Sequence, residues 1–418
     1  MIINGASRIR GLLVRELAHL MAGRRVVLAG PMVENPLLAE IITAAGAVDV
    51  HYLPIVVRDR GAVGEYFAEL ERKLARPGRF LQKQMDAVDP TGDAIVYAGS
   101  AVRGVSFCNR RLLGTRSLQA YFAERKDNQP TFLSDHPSLH QRFLRRVTLD
   151  RLREVVAEYS RDGAFVLTGI PRGYLEAGSS HTFLIPPGLV GTELVHRTIA
   201  RIVESCWGVR ITRFVPGCPA TYYGFVSSAR TVCWGPFEAL SYWDLSDLRI
   251  RSIGIQAPIV PDTAEARAVV TQAAARLASA TGYAGAFCIN GVFAGGEFIA
   301  TDLNPRSCSG HRFLEGSWQP PVPTLLVDLV IRTHDPKVTV ELMDEVESLA
   351  MRSCMQPRLY SFGWLGELEE KLVSECPSGE DRNAAEIQRW NTKVRATLRL
   401  PNWLPIRSLD THCETSRG

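Results

Sequence analysis

Lysine is what this chain most lacks. Its 418 residues carry 42 arginines against 6 lysines, and a single lysine, Lys126, falls between positions 109 and 331. The net charge is only +4, and the basic residues are scattered, without a Lys/Arg run or interleaved aromatics. That excludes the electrostatic footprint of a nucleic-acid binder. No apolar run is long enough to span a bilayer. The start, Met1-Ile2-Ile3-Asn4-Gly5, lacks the basic-then-apolar layout of a secretory leader. The nine cysteines stand singly with no CxxC pair, which argues against a zinc site. Their odd number and spread predict reduced thiols and a cytoplasmic location. GxGxxG and GxxxxGK[ST] are both missing, so no dinucleotide fingerprint or P-loop is present. There is no internal repeat.

What remains is 46% apolar residues, enough for two or three domains with real cores. The pattern predicts a helix over 8–21, a strand at Arg25–Gly30, a helix over Pro36–Ala45 closed by Gly46, and a strand over Val48–Val57. A further strand follows at Asp93–Ala98. This β-α-β order predicts a Rossmann-like domain over residues 1–107. Beyond Cys108 the expectation is a helical stretch from Asn109 to Glu124, a polar loop from Lys126 to Pro137, a helix over Thr148–Arg161 and a strand over Ala164–Thr168. A Gly/Ser-rich loop over 169–182 precedes a helix over Leu194–Trp207 and strands at Val209–Val215, Ala220–Ser228 and Arg230–Trp234. Residues 332–418 form a third region of short helices and turns with a tail expected to be poorly ordered.

The chemistry concentrates in Gly295-Gly296-Glu297-Phe298-Ile299-Ala300-Thr301-Asp302-Leu303-Asn304-Pro305-Arg306. It reads as a tight turn, a strand and a polar cluster at the strand's end. Asp302 and Asn304 are two apart, so on a strand they share a face. An acid and an amide on one face, with Arg306 just beyond, suit a hard cation bridging phosphate oxygens. A strand ending in an Asn-Pro turn is the plainer alternative. A hairpin across Gly295-Gly296 pairs this strand with Gly285–Phe293 and brings Asn290 beside Asp302.

The Asp302-x-Asn304-Pro305-Arg306 run resembles the metal-binding strand of the ATP-grasp ligases. The order of elements over 108–331 resembles their whole module. The resemblance implies an ATP-grasp fold of mixed α/β and α+β character behind a Rossmann-like leading domain. It implies ATP and Mg2+ as cofactors, with Asp302, Asn304 and Asn290 facing the metal, Asn290 standing where the family carries an Asp. Gly178, Ser179 and Ser180 look like its phosphate loop, since small residues let backbone N–H groups approach phosphate oxygens. Arg213, Phe214 and Val215 resemble its adenine hinge. The family's first lysine falls at Arg110 or Arg111, and its second at Thr168, where the charge is lost. Arg172 is the expected replacement for that charge. Arg306 would stabilise the acyl phosphate and the transition state. His311 is expected in a solvated loop, and Cys308 is read as incidental.

The layout resembles the pre-ATP-grasp ligases of natural-product pathways, such as the pheganomycin-type peptide ligases and the butirosin-type ligases that load an amino acid onto a carrier protein. The implied reaction joins a carboxylate to an amine through an acyl phosphate. The partners are small carboxylate and amine substrates, with a peptide or carrier protein as an option, a homodimer as another, and no nucleic acid or membrane. Loading of a carrier thiol, a kinase-like or carboxylase variant, and a degenerate protein that binds without catalysis are the alternatives.

Overall fold

The computed structural model describes residues 5–30, 35–57, 63–99, 102–134, 136–172, 181–257, 262–315, 318–354, 358–361 and 403–405. The expected phosphate loop at Gly178, Ser179 and Ser180, and the expected tail, lie outside these residues.

Three sheets follow one another along the chain. The first contains β1 (Arg25–Ala29), β2 (Asp49–Leu53), β3 (Ile95–Tyr97), β4 (Ser106–Phe107) and β5 (Arg110–Leu113), in the order β2-β1-β3-β5-β4. All its pairings are parallel except β4 with β5. Helices α1 (Gly5–Met21) and α2 (Pro36–Ala44) share a core with one set of its side chains, and α3 (Val63–Ala75) and α4 (Arg79–Val88) with the other. The second sheet has four strands: β6 (Arg142–Arg145), β7 (Phe165–Pro171), β8 (Thr182–Ile185) and β9 (Cys206–Arg213), in the order β6-β9-β7-β8. Helices α6 (Leu149–Tyr159) and α7 (Glu193–Ser205) pack on it, each N-capped by a threonine, Thr148 and Thr192. Helix α5 (Leu118–Glu124) precedes this sheet and is capped by Ser117.

The third sheet has seven strands. Its main path is β14 (Glu297–Asn304), β13 (Gly285–Ala294), β10 (Cys218–Val226), β11 (Thr231–Asp244), β12 (Ile250–Ala257) and β15 (Arg358–Ser361), and β16 (Trp403–Pro405) pairs with the far end of β11. Helix α8 (Ala264–Thr281) joins one core of this sheet. Helices α9 (Ser309–Glu315), α10 (Thr324–Thr333) and α11 (Pro336–Cys354) follow. One continuous core joins α1, α2, α10 and α11 to residues of both the first and third sheets.

The mixed α/β class is as expected, but three local expectations fail. Arg110–Leu113 is a strand rather than the start of a helix. Cys108 and Asn109 both take positive φ, 49° and 64°, the backbone of a two-residue hairpin turn, so β4 turns straight into β5. The first sheet therefore runs past residue 107. The strand expected to stop at Trp234 continues to Asp244, and a bulge opposite Thr221–Tyr223 absorbs the Gly235-Pro236 step. Residues 336–354 form one 19-residue helix instead of short pieces, because both α1 and the third sheet offer it an apolar face.

Candidate active site

The third sheet builds a polar row across three adjacent strands. In register, Thr221 on β10 faces Asn290 on β13, and Asn290 faces Asp302 on β14. The hairpin expected from the sequence thus has the expected pairing. A bulge falls just after Asn290, and Gly291 seats it: a Cβ there would collide with the Ile299 carbonyl. The Thr221 hydroxyl donates to Asn290 Oδ1 at 2.7 Å. Asn290 Nδ2 and Asn304 Nδ2 both donate to Asp302 Oδ2, at 3.3 and 3.2 Å.

The other oxygen of Asp302 belongs to the segment after α5. Lys126 forms an ion pair with Oδ1, and Gln129 Nε2 donates to the same oxygen at 2.6 Å. Gln129 is fully buried and also donates to the Leu303 carbonyl at 3.0 Å, which pins the segment to β14. Its Oε1 accepts from Arg210 Nη1 at 3.1 Å, and the same nitrogen donates to the Thr301 carbonyl at 3.0 Å. Arg210 lies on β9, so it ties the second sheet to the third at this point.

A second acid sits beside the first. Glu124, the last residue of α5, is buried and ion-pairs with Arg116. It accepts from Arg306 Nε at 3.0 Å, and Arg306 Nη2 in turn donates to Asn304 Oδ1 at 3.3 Å. Burial pushes both acids toward neutrality, but the cations outweigh it. Lys126 and Arg210 hold Asp302 below the usual carboxylate range, and Arg306, Arg116 and Lys126 do the same for Glu124. Burial works against the charge on Arg306, and Cys308 and Glu124 overcome it, so its pKa is raised. The Nε and Nη2 atoms of Arg116 are buried without a hydrogen-bond acceptor. Four cations, Arg116, Lys126, Arg210 and Arg306, thus surround two carboxylates. Arg116, Lys126 and Arg210 are buried, and Arg306 is half-buried. A buried charge costs several kcal/mol even after relaxation. So dense a group of cations beside two carboxylates suits an anionic ligand.

Thr168 is buried on β7 directly opposite Arg210. A cation thus stands across the strand pair from Thr168. Arg172 lies at the C-terminal end of α7: Nε donates to the Cys206 carbonyl and Nη2 to the Val203 carbonyl, both at 3.2 Å. Arg110 points into the first domain, where it binds Asp89 and Asp86 at 2.9 and 2.8 Å, and Arg111 is exposed on the same strand. Arg213, Phe214 and Val215 stand where the chain crosses from the second sheet to the third. Arg213 pairs with Asp162 at 3.4 Å and Phe214 is buried in the second sheet's core.

His311 is not in a solvated loop. It is fully buried among Tyr223, Phe225 and Trp234, accepts from the Cys308 N–H on Nδ1 at 3.1 Å, and lies with Nε2 3.2 Å from the Gly224 carbonyl. Burial pushes its pKa down to about 4, so it is a neutral core residue. Cys308 is part of the cluster: its Sγ lies 3.1 Å from Cys288 Sγ and accepts from Arg306 Nη1 at 3.3 Å. A hydrogen bond from Cys288, aided by Arg306, lowers the Cys308 pKa. Arg116, Glu124, Lys126, Gln129, Arg210 and Thr221 were missed from sequence. Lys126 alone carried a signal, as the one lysine across 223 positions otherwise served by arginine.

No family model matches the chain, and no curated protein does either. Among solved structures it is similar to an N5-carboxyaminoimidazole ribonucleotide synthetase in complex with ADP. The two are 12% identical with a TM-score of 0.47, over 74% of this chain and 77% of that one. It is similar to biotin carboxylase from Campylobacter jejuni at 10% identity and a TM-score of 0.47, over 78% of this chain and 70% of that one. An L-amino acid ligase from Bacillus licheniformis gives 10%, 0.42, 80% and 78% for the same four quantities. Among the described residues no helix is long and apolar enough to cross a membrane, and no three His, Cys, Asp or Glu side chains gather into a metal cluster.

Proposed function

We propose that the chain is an ATP-dependent carboxylate–amine ligase of the ATP-grasp type, forming ADP. The observation that carries this reading is the gathering of Arg116, Lys126, Arg210 and Arg306 around Asp302 and Glu124, on the strand whose Asp302-Asn304-Arg306 spacing resembles that family's. Clustered cations are what a polyphosphate requires. ATP is the proposed cofactor with Mg2+ on its phosphates. Asp302 would offer a hard cation its carboxylate; the Asn290 and Asn304 carbonyls accept from Thr221 and Arg306, with Nδ2 toward Asp302, and both amides would have to turn to offer it oxygen. Mg2+ would supply charge neutralisation on the phosphate oxygens there.

The chain's own part is positioning and charge. A substrate carboxylate oxygen attacks the γ-phosphorus, the bond to the β-phosphate oxygen breaks, and ADP leaves. Arg210 and Lys126 face the phosphate charge, and Arg306, oriented by Glu124 and Asn304, faces the oxyanion that develops when an amine attacks the acyl carbon. Phosphate then leaves and the amine loses its proton. Natural-product biosynthesis, a cytoplasmic site of action and small carboxylate and amine substrates belong to this reading. A carrier-protein thiol is the alternative acceptor.

A second reading, a degenerate protein that binds nucleotide without turnover, is favoured by Lys126 on Asp302 and by Asn290 in place of an acid. An ADP-release screen across amino acids, with and without a carrier protein and followed by mass spectrometry of products, separates the two. Release of ADP and phosphate with an amide or thioester product is the expected result. ATP binding without release under every pairing would favour the degenerate protein.

A further inference from the structure

The proposed ligase reading leaves one contact unexplained. The acid that would face the metal is already occupied. Each oxygen of Asp302 accepts from two N–H donors: Lys126 and Gln129 on Oδ1, Asn290 and Asn304 on Oδ2. Lys126 is buried, although lysine ordinarily keeps its ammonium in water. The contact is fixed from behind, because Gln129 pins the segment to Leu303 and Glu124 anchors its start through Arg116 and Arg306. A protein so short of lysine holds this one against its key acid. A divalent cation arriving alone must displace an ammonium and gains a single carboxylate in exchange.

We propose that Lys126 is a tethered cation that closes the Asp302 site to free divalent metal. Metal enters only with a polyphosphate, whose oxygens give the Lys126 ammonium another acceptor. The inference deepens the ligase reading by adding an order of loading at the same site, and it makes Lys126 a positioning residue.

The test uses Mn2+ alone, with free ion followed by electron paramagnetic resonance and no nucleotide present. The wild type is expected to bind no Mn2+ in a manner sensitive to Asp302→Asn. Lys126→Met is expected to bind one Mn2+ about tenfold or more tightly than the wild type, and to lose it in the double variant with Asp302→Asn. Lys126→Arg should behave as the wild type. Mn2+ binding to the wild type that Asp302→Asn abolishes, or a folded Lys126→Met no tighter than the wild type, overturns the proposal. If Lys126→Met does not fold, the wild type against Asp302→Asn still decides it. A separate arm adds ATP with Mn2+. Failure of ATP to bind there counts against the ligase reading while leaving the Mn2+ result to stand or fall alone.

Discussion

Two acids of this protein, Asp89 and Asp302, sit in networks of the same kind with opposite meanings. Asp89 is fully buried in the first domain. It accepts from Arg110 Nε at 2.9 Å and from the Ala94 N–H at 3.1 Å, and Arg25 lies 3.6 Å away. Burial pushes its pKa up, yet the Arg110 hydrogen bond and the others win and hold it at about 2. Asp86 pairs with Arg110 at 2.8 Å, and Arg25 also lies 4.0 Å from Asp49. Around Asp302 and Glu124 the same chemistry gathers Arg116, Lys126, Arg210 and Arg306. The first cluster lies within the leading domain, and we read it as serving the fold. The second ties the second sheet to the third, and the proposed site lies there. Where arginines converge, more than their presence, separates the two.

The sharpest way to break that distinction is to exchange the consequences. Asp302→Asn should lower turnover by orders of magnitude, far more than any loss of folded protein accounts for. Near-normal ADP release at saturating ATP would remove Asp302 from the chemistry. Arg110→Ala should do the reverse: leaving Asp89 buried without its partner costs about 3–5 kcal/mol of stability, read as a lower urea midpoint, while the folded fraction binds ATP as before. Arg210→Met should cost turnover roughly 30- to 1000-fold, as a clamp contributing about 2–4 kcal/mol to the transition state implies. Arg172→Ala, which only caps α7, should change turnover by less than about threefold and stability by about 1 kcal/mol.

Acid titration distinguishes the clusters more gently. The pKa of Asp89 is depressed to about 2 in the folded state, against about 3.9 unfolded. Its contribution to stability is therefore complete above about pH 4 and disappears as pH falls toward 2. Asp302 and Glu124, also depressed, act with the same sign. Urea midpoints from pH 5 to pH 2 should fall less steeply in Asp89→Asn than in the wild type. Parallel slopes would show that Asp89 carries no such linkage.

What the sequence disclosed, and what it hid, follows from how each contact is encoded. The Asp302 strand and its hairpin were legible because period-two alternation and a Gly-Gly turn are local signals, and they fix Asn290 opposite Asp302 without knowledge of the fold. The partners of Asp302 were not. Lys126 and Gln129 are more than 170 residues away in sequence, and Arg210 arrives from a different sheet. No periodicity links those positions. Arg110 misled because an arginine in a β-turn-β segment carries no mark of which domain its side chain enters. The positive-φ turn at Cys108-Asn109 lacks the glycine that announces such hairpins, so its strand was read as helix. His311 misled because nothing local shows that a polar ring will be enclosed by three aromatic residues.

The central claim is that the cations gathered around Asp302 and Glu124 are a phosphate site. Calorimetric binding of ATP to the wild type, Arg210→Met and Arg306→Met, each at low and high salt, tests it most directly. The account predicts that the wild type binds ATP, that each substitution weakens binding about tenfold or more as a charge-assisted hydrogen bond is lost, and that salt weakens the wild type most. Binding of equal strength in all three proteins, or no binding by the wild type at either salt, would contradict it.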